Sequence, residues 1–215
     1  MFHSLVGDGL FDGESHRTQV SVRGRMRLHL LGIAATPIRS VRPAVTAVRL
    51  SVEEGASLFY LPGALVPHAH TSSSHSLVAD VSAGGSLLAG SIVTAGRTAM
   101  GESGGFSQLR LRTTIRSSGA LLIADDATLV PAEAPLSGPG QFAGAEAFVT
   151  LAAVGECSAM AAASWPVLPS SPAVVAGTSA LRGDGVVLRA LADSLGSAQS
   201  FVAAAAAAAG FVEFR

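Results

Sequence analysis

Apolar residues in this chain recur at every second position, in short runs cut by glycine and proline, and this pattern commits it to β-structure. From Thr18, the residues Val20, Val22, Met26, Leu28 and Leu30 alternate with Arg23, Arg25, Arg27 and His29 across a kink at Gly24. That two-residue period predicts a strand or a bulged hairpin. Thr36-Pro37 punctuates it, Val45–Val52 alternates again, and Glu53-Glu54-Gly55-Ala56 reads as a turn. Phe106–Ser117 and Ala120–Ala124, joined at Ser118-Gly119 and returning to Asp125-Asp126, read as a hairpin. Ala147–Val154, Val174–Thr178 and Val186–Leu191 are further strands, the last two flanking a Gly183-Asp184-Gly185 turn. Residues 1–16 read as a loop, Pro131–Gly144 as a long loop either mobile or covered by a partner, and Ser164–Pro172 as a proline-rich connection. Only Ala198–Ala209 has convincing helix propensity, with Ser197 as a cap and Gly210 as a left-handed stop. The class is therefore mainly β with a C-terminal helix, and a sandwich, a barrel or a wound solenoid would satisfy it. No strict repeat of 20–50 residues is visible, so periodicity does not favour the solenoid.

The stretch from Leu58 to Glu102 concentrates the chemistry-capable side chains, including three of the six histidines. It reads as two strand-like runs joined by a proline-punctuated, polar loop and returning through Gly84-Gly85. His68 and His70 would share one face if they stood on a strand, and with His75 they are the candidate contacts for a borderline divalent metal, although no carboxylate or thiol nearby completes a tight set. Arg97 and Glu102 read as a charge-assisted pair pinning two turns. Asp125-Asp126 and Glu53-Glu54 read as turn or rim residues. Gly101-Glu102-Ser103-Gly104-Gly105 matches the spacing of a nucleophile elbow, but an alternating strand follows where a helix is required, and no histidine follows His75. A Ser103 hydrolase is the weakest of the readings.

Composition narrows the partners. The formal net charge is −1, which gives no basic field for nucleic acid, and the single Cys157 rules out an intramolecular disulfide and reads as a buried, inert thiol in a reducing compartment. All basic residues are arginine, so no P-loop lysine exists. Only 13% of residues are charged, a lean surface that points to coverage by another protein. The N-terminus lacks the pattern of a secretory signal, and Phe201–Ala209 is too short for a membrane span, so the expectation is a cytoplasmic protein.

Taken in order, AATPIRS with Thr36, EEGASLFYLPGALVP, the pair Gly96-Arg97 and Gly101-Glu102, LLIADDATLVP, and the closing GVVLRALADS and GFVEFR resemble the UreD/UreH family of urease accessory proteins across almost the whole chain. The resemblance implies one UreD-like domain over residues 1–215, with a mostly β fold wound into a stacked architecture. It also implies a non-enzymatic chaperone that binds apo-urease, recruits a helical accessory protein of the UreF type and through it a nickel-carrying GTPase of the UreG type, and gives nickel(II) an internal passage. No tightly bound cofactor is implied, only nickel in transit. Where the family usually carries further N-terminal strands before GGxxxGD, this chain starts almost at that motif, with Glu14 in place of Asp. Phe59 replaces the acid of L-E-x-L-P, and Ser91 replaces the acid six residues before the arginine of the Gly-Arg pair. His68, His70, His75 or Asp80 would then take over contact with the ion, with Arg97 and Glu102 structural or passage-lining. The alternative reading is a β-sandwich interaction module with no metal role.

Overall fold

The segments Val22–Leu28, Val52–Leu58 and Val81–Leu87 share the form Val-x-x-x-x-[Arg/Ser]-Leu, and the fold is wound around them. The computed structural model describes residues 2–3, 9–138, 140–168 and 172–211. After the short β1 (Phe2–His3), the chain runs β2 (Ser15–Val22), β3 (Arg27–Gly32) and β4 (Thr36–Ile38). It then repeats that path as β5 (Ala44–Val52), β6 (Ser57–Leu61) and β7 (Leu65–Pro67), and begins it again as β8 (Ser72–Val81) and β9 (Ser86–Thr94). Strands stack in parallel from one coil to the next: Ser15 lies opposite Val45 and Ala44 opposite Ser73, while Arg27 lies opposite Ser57 and Ser57 opposite Ser86. The chain thus advances one coil every 30 and then 29 residues, so a solenoid-like winding is present that periodicity failed to reveal. In each Val-to-Leu turn a glycine (Gly24, Gly55 or Gly84) takes a positive φ of 61° to 72°, a conformation that side chains with a Cβ disfavour.

These turns do not make hairpins. At Gly24 the chain leaves one sheet for the other, so the alternating run Thr18–Leu30 is two strands in different sheets. The smaller sheet has the order β11-β10-β8-β5-β2, its last strands being β10 (Gln108–Ser117) and β11 (Ala120–Leu129). These two form the expected antiparallel hairpin, extended through Asp125-Asp126, which stand inside the strand and not at a turn. The larger sheet continues from β9 through β12 (Ala147–Gly155) to β14 (Gly185–Ala192) and β13 (Val174–Ala180), all antiparallel.

Two helices cover the outer face of the larger sheet. One, α1 (Cys157–Ser164), is absent from the sequence reading, because eight residues without amphipathic periodicity give no pattern to detect. The other, α2 (Leu195–Ala208), is the expected C-terminal helix, capped by Ser194, whose hydroxyl accepts the Ser197 N–H at 3.1 Å. Trp165, buried beneath α2, donates its indole N–H to the Ala205 carbonyl at 2.9 Å. Phe59, Leu88, Leu151, Leu188 and Val202 fill the core between this sheet and the helices. Cys157 is buried there, and burial raises its thiol to about 11, so it is inert as expected. The Pro131–Gly144 segment needs no partner to hold its described part, because Leu136 and Phe142 bury themselves with Phe106 and Leu109. Residues 169–171 of the proline-rich connection, and 212–215 of the closing motif, lie outside the described residues.

Candidate functional site

Between the two sheets the side chains form rows set by strand register. On the smaller sheet the first rows are apolar: Val22, Val52 and Val81, then Val20, Leu50, Ala79 and Ile115. The next is Thr18, Val48, Leu77 and Thr113, and the one after is His16, Thr46, His75 and Leu111. The larger sheet answers with Leu28, Leu58, Leu87 and Val154, then Leu30, Tyr60, Ala89 and Ala152, then Ser91 and Thr150. Large aliphatic residues close the gap at the Val-to-Leu turns. Farther along, Ala89, Ser91 and Ala152 are too small to span the roughly 10 Å between packed sheets. The result is a cavity of about 500 Å³ whose wall includes Thr18, Thr46, Tyr60, His75, Ser91, Thr113 and Thr150.

His75 borders this cavity with its ring otherwise enclosed by protein. Its Nδ1 lies 2.7 Å from the Thr46 hydroxyl and its Nε2 3.0 Å from the Ser73 hydroxyl. Burial pushes its pKa down to about 4, so at neutral pH it is an uncharged imidazole, the form that ligates metals. Any ion it met would have to displace a hydroxyl, and such displacement favours brief contact over capture. Burial likewise pushes the Tyr60 phenol up to about 12 and keeps it a neutral donor. His16, which stands on β2 and not in the expected loop over residues 1–16, lies in the same row, separated from His75 by Thr46, and its Nε2 lies 3.0 Å from Glu14 Oε2. A backbone hydrogen bond from Phe11, followed by the contact with His16, holds the Glu14 carboxyl below its ordinary range.

The structure does not bring the four sequence-derived metal candidates together. His68 and His70 stand in the turn before β8, not on a strand, and His70 is exposed at a positive φ of 64° with its N–H bonded to the Gly105 carbonyl. Asp80 lies on β8 one position out of phase with His75 and is exposed on the outer face. Among the described residues no three His, Cys, Asp or Glu side chains approach closely enough to hold an ion. Glu102 accepts from Arg97 Nε at 2.9 Å and from the Ala69 N–H at 3.1 Å, and its other oxygen accepts from the second guanidinium nitrogen. The pair therefore ties the histidine turn to the segment after β9, and the Arg97 contact is the main cause of the lowered Glu102 pKa. Ser103 is exposed and bonds to no histidine among the described residues. Of the two replaced family acids, Ser91 lies at the cavity, whereas Phe59 is in the core on the helix side, 5.7 Å from the ring of Phe211.

The depressed His75 predicts acid sensitivity. Its ordinary pKa is 6.5 and its folded value about 4, so the unfolded chain binds the extra proton first. Stability is full above pH 6.5 and falls as the pH drops toward 4, by about 3 kcal/mol for this group. Urea unfolding at pH 7.5 and pH 5 should show the loss, and His75→Gln should flatten it. His29 and His68, also lowered chiefly by burial, leave a residual slope. An identical pH dependence in the variant would contradict the assignment.

Fold and site together define a wound β-protein with an intersheet cavity lined mostly by apolar side chains, with several hydroxyls and His75 on its wall. No helix among the described residues is long and apolar enough to cross a membrane. The family of UreD urease accessory proteins matches residues 6–212, and the chain belongs to that family. It is 27% identical over 63% of its length to the urease accessory protein UreD of Lachnoclostridium phytofermentans, covering 50% of that protein. It is 29% identical over 64% of its length to that of Actinomyces naeslundii, covering 52%. To that of Anaeromyxobacter it is 31% identical over 91% of its length, covering 68%. The chain thus spans about half the length of the first two relatives and two thirds of the third.

Proposed function

We propose that this protein acts in urease maturation as a non-catalytic scaffold whose intersheet cavity gives nickel(II) a passage toward the urease active site. The observation that carries the reading is the cavity itself: a mostly apolar space between two sheets, lined also by Thr18, Thr46, His75, Ser91, Thr113 and Thr150, which offer hydroxyls and one imidazole, in a chain of the urease accessory family. A passage must bind a cation well enough to admit it and weakly enough, at several points, to release it. Neutral oxygen donors with a single enclosed imidazole suit that requirement better than a tight carboxylate and thiolate cage, which would store the ion. Glu14, which precedes the outermost strand of the smaller sheet and contacts His16 on that strand, supplies the first attraction for a divalent ion. His68, His70 and Asp80 are secondary contacts outside the cavity, and Arg97 with Glu102 holds the turn that carries two of them.

In this scheme apo-urease receives the ion, a helical accessory protein of the UreF type joins the scaffold to the nickel-carrying GTPase of the UreG type, and nucleotide hydrolysis belongs to that partner. The setting is the cytoplasm. The test is urease activity and bound nickel in cells producing the cognate urease with its accessory proteins, with and without this chain. Both should collapse without it and return on its restoration; equal nickel loading in either case would remove the maturation role.

A further inference from the structure

We infer that the outer face of the smaller sheet is a docking surface for a carboxylate-rich face of a protein in the urease-maturation assembly; the inference rests on the function proposed above. Four neighbouring strands of this sheet, β2, β5, β8 and β10, are mutually parallel. Parallel sheets are normally covered on both faces. Here both helices pack on β9, β12 and β14 of the other sheet, and among the described residues none covers the outer face of the smaller sheet.

Its composition is specific. Arg17 and Arg112 lie in one cross-strand row, Arg49 in the next, Arg116 in the one beyond, and Arg110 at the other end. The acids on this face are Asp80 and Asp126. Asp126 is already bound by both Arg110 and Arg112, at 2.8 Å and 3.0 Å. Arg17, Arg49 and Arg116 are exposed and form no ion pair among the described residues. Between them stand Ser15, Ser21, Ser51, Ser74, Ser76 and Ala47, side chains short enough for a partner's surface to settle onto the sheet.

A chain of net charge −1 therefore carries a local excess of positive charge on a flat face. Five strands about 4.8 Å apart and some 26 Å long offer roughly 600 Å², close to one side of an ordinary protein interface. Guanidinium groups bind carboxylates through paired hydrogen bonds and are favoured at such interfaces. The mixture with hydroxyls and two acids, and the absence of aromatic side chains from this face, fit a protein partner better than nucleic acid or lipid.

The test measures binding of the purified chain to cognate apo-urease and, separately, to each cognate accessory protein across a salt series. Arg17→Glu, Arg49→Glu and Arg116→Glu are combined in one variant, and the corresponding three Lys substitutions in another. Circular dichroism melts establish that both are folded. The inference expects affinity for at least one of these proteins to fall steeply with salt, to drop by tenfold or more in the Glu variant, and to be largely kept in the Lys variant. Unchanged binding by the folded Glu variant would overturn the docking surface and leave the maturation reading standing. In a parallel flotation assay, binding to vesicles containing anionic lipid that the Glu variant loses, while its binding to the proteins is unchanged, would overturn the inference and assign the face to a membrane. If the native chain binds none of the cognate proteins, both readings fall.

Discussion

Gly63→Ala should cost about 3 kcal/mol or more and unfold a large share of the protein at physiological temperature. A Cβ built on Gly63 would lie 1.9 Å from the carbonyl oxygen of Ala34, and one built on Gly32 would lie 2.0 Å from the Gly63 nitrogen. Two successive coils touch backbone to backbone at this corner. The adjoining link, from the Thr36 N–H to the Ala64 carbonyl at 2.7 Å, depends on their closeness. This is the physical content of the Leu61-Pro62-Gly63 motif, because any side chain at its last position separates the coils. Gly177→Ala is the control: nothing lies within 4 Å of its added methyl, and its effect should stay within about 0.5 kcal/mol. Matching urea midpoints for Gly63→Ala and the native protein would refute the close approach.

The second large effect is functional. Thr150→Phe places an aromatic ring in the intersheet cavity at a strand position that tolerates aromatics, and about 500 Å³ of space receives it without forcing the sheets apart. Nickel loading of urease should fall at least tenfold while binding to partners and the melting temperature stay near native. Thr150→Val, of nearly the same shape, should retain most activity, since several other hydroxyls line the wall. Full activation by Thr150→Phe would show that the ion does not pass between the sheets.

Strand existence was legible in the sequence because a two-residue alternation is local. Sheet membership was not. Thr18–Leu30 reads as a strand or hairpin because nothing in its alternation announces that the chain changes sheets at Gly24. The Val-x-x-x-x-[Arg/Ser]-Leu signal that would have exposed the winding is carried by two identities per coil, and its spacing shifts from 30 to 29 residues. The next parallel pairing, Ser72 with Gln108, breaks the period altogether. The same register would have found His16, since carrying the inward phase of Val22, Val20 and Thr18 back one step places it beside Thr46 and His75. Polar residues such as Ser72–Ser76 resemble a loop in sequence, but they form strand β8, because at this end of the sheet one face borders a cavity and not the packed core, and the other faces water. Asp80 could not be separated from His75 without knowing that they lie on opposite sides of that strand.

The helical layer has a property that its composition conceals. Val202 apart, the fully buried residues of α2 are alanines, and a surface of methyl groups has almost no ridges to lock into grooves. Its position along its own axis is marked by two pins, the Trp165 indole on the Ala205 carbonyl and the Ser164 hydroxyl on the Ala208 carbonyl. Both pins grip backbone, which every residue possesses. Small replacements at the buried alanines would therefore leave both pins in place, whereas replacing Trp165 would remove one of the two contacts that fix the helix along its axis.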